Sequence, residues 1–252
     1  MAGVLAAVLV VVFGVLIFLN RSRHKDFDLP LQKALAAVPS ISAYSQHDET
    51  QTQISDRRLQ IVGVYDVDTA HRSFASYSTT TLFLPGSPAG HSFSHWDIAI
   101  GDDVYIKIDT TDKLLSNSIQ RFPQWKHFVS NAIPAKYASI AIVGPIQDNL
   151  TLLAQNGAYL SLVKKWGPAP WGDESLLRYT FKLSGKTADI PGGPLSALVS
   201  HIGRTGTVDV WVDPKSFAVR HLVFSNPPYV STSTISNINA LQPIVAPITP
   251  GP

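Results

Sequence analysis

Cysteine is absent from all 252 residues. Its absence excludes disulfides, cysteine-ligated metal sites, thiol catalysis and the acylated cysteine of a bacterial lipoprotein. Charge of one sign is also lacking. Arg21, Arg23 and Lys25 precede every acidic residue, and residues 26–252 carry 17 basic against 18 acidic groups. So balanced a domain has no electrostatic footprint for nucleic acid. Neither G-x-S-x-G nor G-x-x-x-x-G-K-[ST] occurs, which removes the sequence signals of a nucleophile elbow and a phosphate-binding loop. There are no repeats, and no linker is long enough to separate the chain into domains. At 45% hydrophobic and 10% aromatic, the chain still has material for a sizeable core.

One long hydrophobic run is present, at residues 2–19, which are uncharged and hold thirteen Val, Leu, Ile and Phe. As a helix its 18 positions would span about 27 Å, close to a ~30 Å hydrocarbon core. No small-x-small cleavage pattern follows it, so an uncleaved single-pass anchor is expected over a cleavable leader. Orientation divides the signals. Arg21, Arg23 and Lys25 on its C-terminal side argue for a cytoplasmic domain. Export is favoured nonetheless. The run starts at the second residue as though a basic leader preceded it, and the Ser/Thr-rich strands and absent cysteine suit an exported domain.

After the anchor, residues 26–38 read as a short helix capped by Asp28, with Leu31, Leu35 and Val38 as its stripe and Pro39 as its stop. Residues 40–55 are extended but polar on both faces, which reads as an edge strand. Residues 59–109 alternate in four runs, LQIVGVYDV, RSFASYSTTTLFL, HSFSHWDIAI and VYIKID, separated by polar turns. That is an antiparallel meander with one buried face. In residues 113–144, Phe122, Trp125 and Phe128 have nearly helical spacing, but Pro123 opposes a long helix, so a connection with helical turns is expected. A helix is predicted over 148–157 and another over 192–203, and strands over 158–167 and 174–185 flank a Pro/Trp-rich loop. Residues 205–225 are the clearest hairpin. Val208, Val210 and Val212 face one way, a tight Asp213-Pro214-Lys215 turn follows, and Phe217, Val219, His221 and Val223 return. A last polar strand over 229–238 and a proline-rich extended tail complete an α+β domain.

This order of elements resembles the LolA/LolB-like superfamily of bacterial lipoprotein carriers and related mycobacterial lipid-carrying envelope lipoproteins. The specific echoes are Gly63-Val64-Tyr65-Asp66, Ile100 to Lys107, Trp125, and Val210-Trp211-Val212-Asp213-Pro214 with Val219-Arg220. Asn239 followed by Pro243 and Pro247 is similar to the end of several such domains. The resemblance covers most of residues 28–247. It implies a large curved antiparallel sheet, a half-open barrel, with helices on its concave side and an apolar space that holds acyl chains. The chain departs from the lipoprotein members in lacking the acylated cysteine, and the helix over 2–19 would replace that anchor. On this pattern the chain divides into an anchor with its basic flank (1–25), a LolA-like domain (26–242) and a proline-rich tail (243–252).

The chemistry-bearing residues favour structure over catalysis. His91 and His95, four apart on a strand, stand about 13 Å apart and lack a third ligand for a metal. Asp102-Asp103 after Gly101 reads as a hairpin turn. Asp209 and Asp213 flank Trp211 and read as solvated. Asn149-Leu150-Thr151 is a glycosylation sequon that also suits a helix cap. Trp96, Trp125, Phe128, Trp166 and Trp171 could line a lipid cleft or pack as ordinary core and rim, because the two have the same composition. The resemblance gives Trp125 and Phe128 inward positions on one helical turn. No enzyme activity, cofactor or metal is expected. The expected function is a membrane-anchored extracytoplasmic domain that binds a lipid or lipoprotein acyl chain. The alternative is a closed-core ectodomain of a sensor or envelope assembly acting through protein contacts.

Overall fold

The computed structural model describes residues 27–68, 70–87, 89–116, 121–129, 160–183 and 205–248. The anchor at 2–19, the helices expected over 148–157 and 192–203, and Asn149 lie outside the described residues.

Helix α1 (Leu29–Ala37) starts where the sequence places it. Asp28 has extended backbone, and its side chain accepts the Leu31 N–H; the proline falls in the first turn. There the missing N–H has no intrahelical partner to lose. A 3-10 turn (Val38–Ser40) then leads into the strands. These are β1 (Ala43–Ile54), β2 (Arg57–Asp68), β3 (Ser73–Phe83), β4 (Gly90–Ile100) and β5 (Asp103–Asp109). One helical turn, α2 (Lys113–Ser116), precedes β6 (Phe122–Val129). The remainder are β7 (Leu160–Trp171), β8 (Glu174–Leu183), β9 (Thr207–Val212), β10 (Val219–Asn226) and β11 (Tyr229–Ser236).

The eleven strands of the described residues form one sheet in the order β6-β5-β4-β3-β2-β1-β11-β10-β9-β8-β7, with every neighbouring pair antiparallel. The end strands β6 and β7 do not pair with each other, so the sheet is open. Both edges carry residues that discourage further pairing: Pro123 and Lys126 on β6, and Lys164, Lys165, Pro168 and Pro170 on β7. The predicted meander is present as β2 to β5.

Directly paired residues in an antiparallel ladder share a face, so the register divides the sheet into two sides. The inner side carries α1. Phe27, Leu31, Ala34 and Val38 pack with Tyr179, Phe181, Val208, Val210, Val212, Leu222 and Phe224 in the main core. Phe27 meets Phe181 edge-on at 5.6 Å between ring centroids.

Several expectations are corrected. β1 is central, not an edge strand: it pairs with β2 on one side and β11 on the other. Its polar side chains tolerate that position because they bond one another across the ladders, as Thr50 does with Ser231 at 2.8 Å. Residues 122–129 form a strand and not a helical connection, with a bulge opposite Ile106–Ile108 accommodating the proline-containing start. β7 runs through the expected Pro/Trp loop as far as Trp171, bulging twice on the way. The β9–β10 connection is longer than a tight turn: Asp213 N–H donates to the Ala218 carbonyl at 2.9 Å. A bulge between Val219 and His221 then sends Val219 to the core and His221 to the opposite face.

Candidate functional site

Two apolar clusters occupy the inner side. The larger surrounds α1 and extends to Tyr44, Tyr65, Val67 and Phe74. The smaller comprises Val104, Ile106, Ile108 and Phe122 on β5 and β6, with Phe93 and Phe128 packed against it. Between them the centre of the inner side is polar, because β1, β3, β4 and β11 point Gln46, Asp48, Ser76, His95, Asp97 and Ser233 inward. Gln46, Asp48, Ser76, Asp97 and Ser233 are all buried.

Within this strip the Gln46 Nε2 donates to Asp48 Oδ2 at 2.8 Å. Ser76 Oγ donates to Asp97 Oδ2 at 3.3 Å. His95 Nε2 lies 3.1 Å from Asp97 Oδ1, an ion-pair contact without hydrogen-bond geometry. Gln46 Oε1 is buried and has no hydrogen-bond partner among the described residues. Tyr65 reaches over Gly63, where a Cβ would collide with the tyrosine hydroxyl. Burial, and then the negative charges of Asp48 and Asp97, push the Tyr65 phenol well above its ordinary range. The strip is therefore acidic in character and shielded from solvent.

Its serine, acid and imidazole do not stand in the order of a nucleophilic triad. Asp97 is the group that Ser76 and His95 share, so the serine proton is directed at a carboxylate and not at the imidazole. A nucleophilic triad needs the reverse order, with the imidazole between serine and acid. Among the described residues no group of three His, Cys, Asp or Glu side chains is placed to hold a metal. His91 is taken up by Asp112, 2.7 Å away.

The residues singled out for a lipid cleft are not brought together. Phe128 faces inward against the smaller cluster. Trp125, three positions away on the same strand, faces outward, since residues an odd number apart on a strand take opposite sides. Trp96 is also outside, 5.1 Å from the Tyr77 ring and beneath the Lys107 ammonium. Trp166 lies outside as well, its indole N–H donating to Thr180 Oγ1 at 3.3 Å. Trp171 stacks on His221 at 4.2 Å and meets Trp211 edge-on at 4.8 Å, also on the outer side. Sequence reasoning missed the polar strip. Its signal was Gln46 with Asp48 and His95 with Asp97, each pair two apart on a strand and therefore on one face.

No family model matches the chain, and no curated protein matches it. The chain is similar to two mycobacterial proteins of solved structure. One is LprF from Mycobacterium bovis, 12% identical, covering 88% of this chain and 96% of that one with a TM-score of 0.48. The other is the lipoprotein LppX from Mycobacterium tuberculosis, also 12% identical, covering 86% and 95% with a TM-score of 0.43.

Proposed function

We propose that the chain binds an amphiphilic lipid against the inner side of its sheet, without catalysis, as an extracytoplasmic domain anchored through residues 2–19. One observation carries the reading: two apolar clusters flank a buried polar strip in which, among the described residues, Gln46 Oε1 has no hydrogen-bond partner. A buried acceptor left unpaired costs about 1–3 kcal/mol, and a bound hydrogen-bond donor recovers that cost. Acyl chains lie along the half-buried margins of the clusters, Leu162, Leu177 and Leu183 on one and Phe93 and Phe128 on the other, where each Å² of apolar surface removed from water contributes about 25 cal/mol before binding costs. The LolA/LolB-like resemblance of the sequence supports the same ligand class. The apolar run at 2–19 supports the anchor.

The test is native mass spectrometry of the full-length chain extracted from membranes. A bound lipid in stoichiometric amount is expected, and Gln46→Leu should lower its occupancy. A chain that carries no lipid and takes up no fluorescent fatty acid would establish the closed-core ectodomain instead. For the anchor, the chain should resist carbonate extraction from membranes; recovery of a mature protein beginning after residue 20 would show a cleaved leader.

A further inference from the structure

A cavity of about 480 Å³ opens on the outer side, opposite the lipid-binding face. Its floor is one row across four strands, Ser45, Asp66, Ala75 and Ile98, each paired directly with the next. Its wall is the C-terminal segment Ala240–Val245. Asn237 and Asn239 hold that segment over the sheet. Both have left-handed backbone (φ 50° and 55°), and so reverse the chain after β11. Asn239 Oδ1 accepts the Ser42 N–H at 2.9 Å, and its own N–H donates to the Ala43 carbonyl at 2.7 Å.

The lining is mixed, polar and apolar in near-equal measure, around one charge. Ala75, Ile98, Leu241, Pro243, Ile244 and Val245 supply the apolar part, and Asp66 is the sole ionisable residue in the lining. Ser45 Oγ donates to Asp66 Oδ1 at 2.6 Å, and Asn237 Nδ2 donates to Ser45 Oγ at 3.1 Å. This chain of donors fixes the carboxylate. Among the described residues Asp66 forms no ion pair, and Oδ2 accepts no hydrogen bond. The volume falls within the range of roughly 300–1,000 Å³ seen for small-molecule sites, which combine apolar walls with few polar anchors.

We propose that this cavity is a binding site for a small alkylammonium ion, its nitrogen on Asp66 Oδ2 and its hydrocarbon arm along Ala75, Ile98 and the Pro243–Val245 wall. One carboxylate oxygen is already engaged by Ser45. A primary ammonium, which binds as a point charge, needs only the open Oδ2. The site is independent of the lipid reading, because it lies on the other face of the sheet.

The experiment titrates the full chain in phosphatidylcholine nanodiscs with hexylamine, hexanol and hexanoate at pH 7, with empty nanodiscs as the blank. Hexylammonium should bind at least tenfold more tightly than hexanol, and hexanoate most weakly. Asp66→Asn should erase the preference for the amine. Ala75→Leu, which fills the floor beside the carboxylate and leaves its charge in place, should abolish binding of both amine and alcohol while retaining the thermal midpoint and the bound lipid of the parent. Absence of hexylammonium binding, equal binding of amine and alcohol, or full binding by Ala75→Leu would overturn the proposal.

Discussion

Tyr179, in the middle of β8, donates its hydroxyl hydrogen to Asp28 Oδ1 at 2.9 Å, joining the sheet to the cap of α1. The same carboxylate accepts the Leu31 N–H and pairs with Lys165 on the edge strand. One side chain therefore caps a helix, satisfies a buried phenol and fastens an edge.

Removing that carboxylate should cost more than a helix cap alone. Asp28→Ala should lower stability by about 2 kcal/mol, the sum of a lost cap at about 1 kcal/mol and an unpaired buried hydroxyl at about 1. Asp28→Asn retains acceptors and should cost less. Burial raises the Asp28 carboxyl, but the hydrogen bonds from Lys165, Tyr179 and Leu31 outweigh it and hold the carboxyl below its ordinary 3.8. Its contribution is thus complete above pH 3.8 and lost as pH falls through the lower folded value. Urea unfolding of parent and variants between pH 7 and pH 3 should show the difference shrinking with acid.

The two faces of β9 give a paired prediction. Val210 is wholly buried on the inner side, so Val210→Asp buries a carboxylate among apolar groups and should unfold the domain. Asp209 faces outward yet is also buried, accepting from Arg178 at 2.6 Å and Thr180 at 2.6 Å. It is not the solvated residue that alternation alone suggests. Asp209→Asn should cost roughly 1.5–3 kcal/mol, the range for hydrogen bonds to a charged group. Denaturant midpoints at unchanged m-value decide it.

Lipid retention should follow the face of the sheet rather than aromatic character. Phe128→Ala, on the inner side, should reduce the lipid recovered by mass spectrometry. Trp96→Ala and Trp166→Ala, on the outer side, should leave it unchanged. Circular dichroism should show that all three variants keep the β-rich fold.

His221 makes the outer cluster sensitive to mild acid. Burial lowers its tendency to protonate, partly offset by Glu174, so the folded value lies below the ordinary 6.5. Its neutral form accordingly gives stability that is complete above pH 6.5 and declines as pH falls toward the folded value. The thermal midpoint should drop between pH 7.5 and pH 5.5 for the parent, and drop less for His221→Gln.

The legible parts of the fold were those whose instructions are local. Val208, Val210 and Val212 alternate without interruption, and Asp28 precedes Pro30 at a helix start, so both elements follow from neighbouring residues. β1 is different. Gln46, Asp48 and Thr50 look like an edge because their partners lie on the same strand's inner face or, like Ser231, far along the chain. The bulges near Val219 and in β6 shift which residues reach the core, and no period-two pattern records them. For the candidate site, aromatic content pointed to Trp96, Trp125 and Trp166, whereas side-chain direction places only Phe128 inward. The polar strip was hidden because each of its members is ordinary alone.

The seam between β1 and β11 joins the first strand of the sheet to the last. Seven residue pairs, from Ser45 with Ser236 to Gln51 with Val230, close it. Every other pairing described in the sheet joins strands that are consecutive in the sequence. The seam cannot form until Tyr229–Ser236 has been synthesised and has emerged beside Ala43–Ile54. In any state that lacks β11, β1 is an edge, and its hydroxyls, amides and carboxylates are the kind of side chain that discourages pairing with another chain. The polar character that disguises β1 as an edge strand in the sequence is thus the character it needs during synthesis, when an edge is what it is.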